Sequence, residues 1–347
     1  MVLATIRRRL FGIAPGETSF ARRGFPSCAA PVREHLERVG ESFVFGYHAA
    51  LQDAAPDALA KRLAVCPVDH QGFAYEGAAM GLAILDRMTP WNRGRVRRFL
   101  DGPGGDHAYM VHVGVGWAMA RLHRSVRRTI ASLDPLLRWL AWDGFGFHET
   151  YFRGGGDENE RGEDTAHRAV AHGEDTARGA VERIVGLRPK WLAEYEGRAF
   201  DQGVGRCLWF VGGAQPERIV SMIEEFPADR RNDLMSGVGL AATYAGGAAA
   251  GAVERLARMT TKYRAELALG SAFAAKARVR AGHVPAHTDE VCAILCGVSV
   301  EEAARITDGA LVDLPIGEHA GGSGSANPYE TWRGRIRAQL EREAVST

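Results

Sequence analysis

The residues of this chain that could do chemistry are polar groups set into apolar stretches at helical spacing. In Phe73-Ala74-Tyr75-Glu76-Gly77-Ala78-Ala79-Met80, Glu76 and Met80 fall on one face. A carboxyl buried there without a partner has a raised pKa, which suits a general acid or base. The structural alternative is a pair with an arginine, of which the chain has many. A second stretch, His107 to Trp117, puts Tyr109, His112 and Gly116 on one stripe beside Trp117. His112 is either a hydrogen-bonded core histidine or a neutral imidazole acting on a ligand that approaches at Gly116, where no side chain stands in the way. The third stretch, Arg138 to Phe152, is the densest. Gly144, His148 and Tyr151 share one face, and Trp142, Phe145, Glu149 and Phe152 share the next. Two glycines inside a helix cost roughly 1 kcal/mol each relative to alanine, so close helix packing or close ligand approach should compensate. His148, beside Glu149 and Asp143, would be a carboxylate-oriented acid–base group; the alternative is an aromatic core helix with a satisfied histidine.

These readings nominate Glu76, His112, Asp143, His148 and Tyr151 as acid–base groups. Met80, Tyr109, Gly116, Trp117, Trp142, Gly144 and Phe147 are the expected ligand contacts. No motif names a nucleotide, flavin or metal cofactor. There is no phosphate-binding loop ending in Lys-Ser/Thr, no Gly-x-Ser-x-Gly elbow and no His-Glu-x-x-His, and Gly114-Val115-Gly116 and Gly203-Val204-Gly205 lack the third glycine of a dinucleotide fingerprint. No metal ligand set stands out either, although His107, His112 or His148 would serve a helical metal or haem protein.

The elements that must position these groups are nearly all helices, and the fold class expected is all-α. Of 347 residues, 46% are hydrophobic and 24% charged, and 43 basic residues balance 42 acidic ones to a net charge of +1. That composition is globular and carries no nucleic-acid footprint. Five scattered cysteines read as reduced thiols of a cytoplasmic protein. The uncharged run from Ser236 to Val253 is too rich in Gly and Ala to span a bilayer and reads as two helix segments meeting at Gly246-Gly247. Helices are expected from Pro31, over 57–63, 72–88, 107–122 and 134–152, and then over 216–226, 229–244, 248–280, 288–295 and 300–306. Cys207-Leu208-Trp209-Phe210-Val211 is the best strand candidate. A homodimer is open on base rates for oligomers alone.

An internal duplication organises the chain. Pro56 and Pro67 are eleven residues apart, as are Pro216 and Pro227, and Gly77 and Gly237 each open a small-residue helix ten residues further on. The expected divisions are a loop-like leader (1–30), a first helical half (31–153), a flexible acidic glycine-rich insertion (154–180), a second half (181–310) and a tail with a short basic helix (311–347).

Tyr75-Glu76-Gly77-Ala78-Ala79-Met80, Gly114-Val115-Gly116-Trp117-Ala118-Met119-Ala120-Arg121, Asp143 to Phe152, Cys207 to Gly213, Ser236 to Ala241 and His287-Thr288 together resemble the UnbL family over roughly residues 10–310. Members of that family accompany the polyketide synthase of enediyne natural-product clusters, beside proteins called UnbU and UnbV. The resemblance implies a pathway and no particular reaction, so it assigns no catalytic residue. What it implies is an accessory protein that binds the linear conjugated polyene made by the synthase. The protein would process that chain by acid–base or template chemistry, or act as a non-catalytic carrier or scaffold that docks other proteins of the cassette.

Overall fold

The computed structural model describes residues 2–14, 16–89, 91–123, 126–153, 173–314 and 327–346. Among them there are eighteen α-helices and no strand. In chain order these are α1 (Val2–Phe11), α2 (Phe20–Arg23), α3 (Ala30–Gln52), α4 (Pro56–Leu63), α5 (Gln71–Met88), α6 (Arg95–Leu100), α7 (Ala108–Leu122), α8 (Val126–Ala131) and α9 (Trp139–Arg153). After them come α10 (Gly173–Gly186), α11 (Glu194–Val211), α12 (Pro216–Glu224), α13 (Arg231–Tyr244), α14 (Ala250–Met259), α15 (Arg264–Arg280), α16 (Ala286–Cys296), α17 (Val300–Gly309) and α18 (Pro328–Ser346).

Six long helices, α5, α7, α9, α11, α13 and α15, pack side by side in that order, with α3 against α5. Glycine explains both the order and the closeness. Residues i and i+2 of an α-helix point roughly 200° apart, so a Gly-x-Gly pair bares the backbone on two opposite sides. Gly114 of α7 lies against the Glu76 carbonyl of α5, and Gly116 lies against the Ala141 carbonyl of α9. Gly144 of α9 returns the contact at Val113, and Gly146 meets Phe200 of α11. Gly203 and Gly205 of α11 meet Asp143 and Leu234, and Gly237 and Gly239 of α13 meet Gln202 and Leu267. A Cβ at any of these positions would overlap the facing carbonyl oxygen. Gly144→Ala is therefore expected to destabilise the fold by about 2 kcal/mol, with α7 and α9 forced apart. Chemical denaturation measures this, and an unchanged midpoint would rule out the close packing.

The row of helices curls back on itself. Tyr244 at the end of α13 packs its hydroxyl on Gly72 and its ring edge-on to Phe73 at 5.2 Å, so α13 meets the start of α5. The uncharged run does break into two helices at Gly246 and Gly247, whose φ angles of +70° and +95° favour glycine. No helix among the described residues is long and apolar enough to cross a membrane, and the five cysteines are unpaired.

Several expected boundaries differ from the structure. Cys207–Val211 is the last turn of α11 rather than a strand; its apolar run is buried on all sides of a helix, which periodicity cannot tell from a buried strand. The expected helix over 248–280 breaks at Thr260 into α14 and α15. The leader is no loose loop. It contains α1 and α2 and is tied across α3 by bonds from Ile13 N–H to His48 Nε2 (3.1 Å) and from Phe20 N–H to Glu37 Oε1 (2.8 Å). The acidic insertion lies outside the described residues over 154–172, and Gly173–Gly186 is the helix α10. The tail helix α18 is 19 residues long and docks through Trp332, Arg333 and Ile336, all buried. A short helix from a proline, a 3₁₀ turn and a glycine-bearing long helix occur in succession twice, as α4–α5 and as α12–α13. That is the element order the offset between Gly77 and Gly237 predicts; the duplication itself stays a proposal.

Candidate functional site

The curled row encloses a narrow, mostly apolar cavity that opens to the surface at one end. Phe73 and Glu76 come from α5, Trp117 from α7, and Phe147, Tyr151 and Phe152 from α9. Arg206 and Phe210 of α11 and Leu240, Ala241 and Tyr244 of α13 complete the wall. Val39, Gly40, Phe43 and Val44 of α3 cover it together with Ile13 and Thr18 of the N-terminal segment. The rings pack on one another as well as on the cavity. Trp117 lies 4.2 Å from Phe43 and 5.0 Å from Phe147 by ring centroids, and Tyr151 stacks on Phe147 at 5.8 Å. The Tyr151 hydroxyl donates to the Thr18 carbonyl at 3.2 Å and so holds the covering strap in place.

All the charge in this cavity sits at one place. Glu76 Oε1 accepts from Trp117 Nε1 at 2.9 Å and lies 3.9 Å from Arg206 Nη2. Arg206 Nη2 is 2.7 Å from Asp143 Oδ1, and the guanidinium lies over the Phe147 ring at 4.9 Å from its centroid. The ion pair is off the hydrogen-bond line, so Arg206 Nε and Nη2 have no hydrogen-bond partner among the described residues. Glu76, Asp143 and Arg206 are all buried. Burial pushes the Glu76 carboxyl up to about 7, against the pull of Arg206 and the Trp117 bond. Burial also raises Asp143, with the Arg206 charge opposing it. The arrangement has one cation and two carboxylates. With Asp143 balancing Arg206, a Glu76 that burial keeps protonated leaves the floor electrically neutral.

The family model described as "Protein of unknown function (DUF1702)" matches residues 2–340. The chain belongs to that family. No curated protein matches it, and no solved structure matches it. The DUF1702 match covers the whole helical row, the N-terminal strap and most of α18, so the cavity lies inside the family's span.

Of the residues nominated from sequence, Glu76, Tyr151, Trp117 and Phe147 line the cavity. Asp143 stands behind it, on Arg206. His148 is buried beside it; its ring meets Trp117 edge-on at 5.6 Å and its Nδ1 is 3.4 Å from Glu149 Oε1, while Asp143 is committed to Arg206. Of the two carboxylates expected beside His148, Glu149 is there and Asp143 is not, because Arg206 holds it. Burial keeps the His148 ring below the ordinary histidine pKa. His112 is on the other side of α7. Its Nδ1 is bonded to the Ala108 carbonyl at 2.7 Å, and it lines a separate cleft. Met80, Tyr109 and Trp142 are core residues outside the cavity wall, and Gly116 and Gly144 contact neighbouring helix backbones instead of a ligand. His107 stacks on Tyr75 at 3.9 Å. Among the described residues no group of three or more His, Cys, Asp or Glu side chains could hold a metal ion.

Arg206 is the functional residue that sequence reasoning missed. The signal was a single charge within Gly203-Val204-Gly205-Arg206-Cys207-Leu208-Trp209-Phe210, a stretch with no other ionisable group but a thiol. Reading its second half as a strand hid the fact that Gly203, Arg206 and Phe210 recur at helical spacing.

Proposed function

We propose that the cavity binds an elongated, uncharged and unsaturated apolar chain, with the polar end of that chain on Glu76 and Arg206. The observation that carries this reading is the aromatic slot ending at one buried carboxyl that holds its proton to about pH 7. Flat rings at the walls suit a flat conjugated ligand. The neutral floor disfavours a fatty acid, because a third carboxylate would face Glu76 and Asp143 with only Arg206 between them. A protonated Glu76 donates a hydrogen bond to a carbonyl at the polar end, where Arg206 takes up the negative charge that develops. Where the proton passes instead to a carbon of the conjugated system, the positive charge lies in the chain and Arg206 balances the carboxylate left on Glu76. Joined to the UnbL resemblance, the substrate is the linear polyene of the enediyne polyketide synthase, processed on the way to the enediyne core by acid–base or template chemistry.

A carrier that sequesters the polyene is the second reading. It is favoured by the placement of His112 and His148 outside the cavity, which leaves Glu76 as the one strongly acid–base group in the wall. Mass spectrometry and a visible absorption spectrum of protein purified from a host that co-expresses the synthase separate the two. Catalysis predicts a bound species of unchanged mass but altered absorption spectrum on the wild-type protein, and the spectrum of the free polyene on Glu76→Gln. The same species on both proteins makes the protein a carrier, and empty protein in repeated preparations overturns the ligand cavity.

A further inference from the structure

A second cleft opens on the side of α7 that faces away from the aromatic cavity. Ala108, His112 and Val115, one stripe of α7, form part of its floor, and Val96, Leu133 and Leu137 form apolar wall. Five arginines from separate elements line it: Arg87, Arg93, Arg97, Arg128 and Arg280. Three aspartates share the cleft and are occupied. Asp86 pairs with Arg95 at 3.0 Å and accepts the Arg95 and Val96 N–H groups. Asp134 accepts the N–H groups of Leu136 and Leu137 at 2.9 and 2.8 Å, and Asp101 is 3.6 Å from Arg97. Asp134 keeps its charge and Asp101 takes up part of Arg97, so five arginines against three aspartates leave the lining surface with a net charge of +2 beside an apolar wall.

His112 makes that surface selective. The Ala108 carbonyl can only accept, so Nδ1 carries the ring proton in that bond. In the neutral ring Nε2 is then an acceptor, and it has no hydrogen-bond partner among the described residues although His112 is only 2% exposed. A buried acceptor on a cationic floor calls for an anion that still carries a hydroxyl. Carboxylates and sulfate have none at neutral pH. A phosphate monoester keeps one P–OH up to its second ionisation near pH 6, and inorganic phosphate keeps one throughout the neutral range.

We propose that this cleft binds the phosphate group of a small organic phosphate monoester, its charge on the arginines, its P–OH on His112 Nε2 and its organic part against Val96, Leu133 and Leu137. The site is separate from the aromatic cavity and does not depend on the polyene reading. Calorimetric titration of the full chain tests it, with phenyl phosphate and inorganic phosphate compared at pH 6 and inorganic phosphate and sulfate compared at pH 8, where both are dianions and only phosphate carries a hydroxyl. Phenyl phosphate should bind saturably at one per chain and more tightly than inorganic phosphate, and inorganic phosphate about tenfold more tightly than sulfate, the value of one hydrogen bond to a charged group. The exposed substitutions Arg128→Ser and Arg280→Ser should each weaken both inorganic anions, and His112→Phe should remove the preference for phosphate over sulfate. Should His112→Phe fail to fold, the ¹⁵N shift of the His112 Nε2 in the wild-type chain reads the same contact, moving on phosphate addition. Equal affinity for phosphate and sulfate, an unmoved Nε2 during phosphate binding, or no saturable binding of phenyl phosphate overturns the proposal; inorganic phosphate binding as tightly as phenyl phosphate overturns its organic-ester part.

Discussion

Arg206→Met is expected to cost the fold about 3–4 kcal/mol at pH 7 and much less at pH 5. The substitution keeps an unbranched apolar stem but leaves Asp143, only 2% exposed, without its cation. Removing one partner of a buried ion pair typically costs 3–5 kcal/mol. Here the cost has a ceiling, because Asp143 can take up a proton instead of staying charged. Neutralising a carboxyl of ordinary pKa near 3.9 costs about 4 kcal/mol at pH 7 and about 1.5 kcal/mol at pH 5, at roughly 1.4 kcal/mol per pH unit. The deficit should therefore shrink as pH falls, since the folded variant holds a proton that the unfolded chain releases. Urea denaturation at both pH values measures it. Arg206→Met/Asp143→Asn should recover most of the loss at pH 7, as removing both partners leaves no buried charge there. A deficit that is equal at pH 5 and pH 7, or a double variant no better than the single one, would mean that Arg206 acts through packing on Phe147 and not as the counter-ion of Asp143.

The loss of apolar surface at the cavity floor is a smaller part of this effect, and the distinction matters for function. Arg206 is where the neutrality of the floor is decided, so its removal should also drive Glu76 further toward the protonated form. A variant with a more strongly protonated Glu76 and an emptier floor would still bind an apolar chain, but would lack the cation that takes up charge at its polar end.

How much of this was legible in the sequence depends on which residues are asked about. The helices were legible because Pro31 and Pro216 stand in the first turns of α3 and α12, where local chemistry favours proline, and the apolar positions behind them recur at three to four. Asp134-Pro135 instead opens a turn, and α9 begins five residues later at Trp139. Glu76, Trp117, Phe147 and Tyr151 were legible as site residues because a polar or bulky group on a glycine-bearing helix has few ordinary reasons to be there. The neighbours were harder. His112 and Trp117 are five residues apart on one helix, and only the positions of α5 and α9 decide that Trp117 faces the cavity and His112 faces away. The Gly-x-Gly pairs at 114 and 203 were visible but set aside as failed dinucleotide motifs, whereas the pair at 144 was read as close helix packing or close ligand approach, and the structure gives the packing. Their meaning, two bare sides of one helix, appears only when the helices on both sides are known. The partner of Asp143 was out of reach for a similar reason: His148 and Glu149 are near in sequence, whereas Arg206 lies 63 positions away and is brought in by the Gly146–Phe200 and Gly203–Asp143 contacts.

Glu76→Gln should make the protein more stable above pH 7 and little changed below pH 4.5. The Glu76 carboxyl holds its proton to about 7 when folded, against an ordinary value of 4.5. The folded state thus binds the proton more tightly than the unfolded chain does. Its stability is fully present below pH 4.5, falls as pH rises through the window from 4.5 to about 7, and is flat above. Ionising this carboxyl costs the folded state about 3 kcal/mol at roughly 1.4 kcal/mol per pH unit. Glutamine has the same shape, and its amide oxygen can still accept from Trp117 Nε1, while Arg206 keeps Asp143 at 2.7 Å. The variant therefore removes the titration and little else. With an unfolding entropy of roughly 2.1 cal/mol/K per residue, 3 kcal/mol corresponds to a melting temperature about 4 °C higher than wild type at pH 8, and the two curves should converge toward pH 4.5. Thermal unfolding followed by circular dichroism between pH 4 and 8 makes the comparison. Parallel curves across that range would mean that Glu76 is already ionised in the folded protein. The floor would then be anionic, and the proton that the proposed acid–base chemistry requires would not be on Glu76.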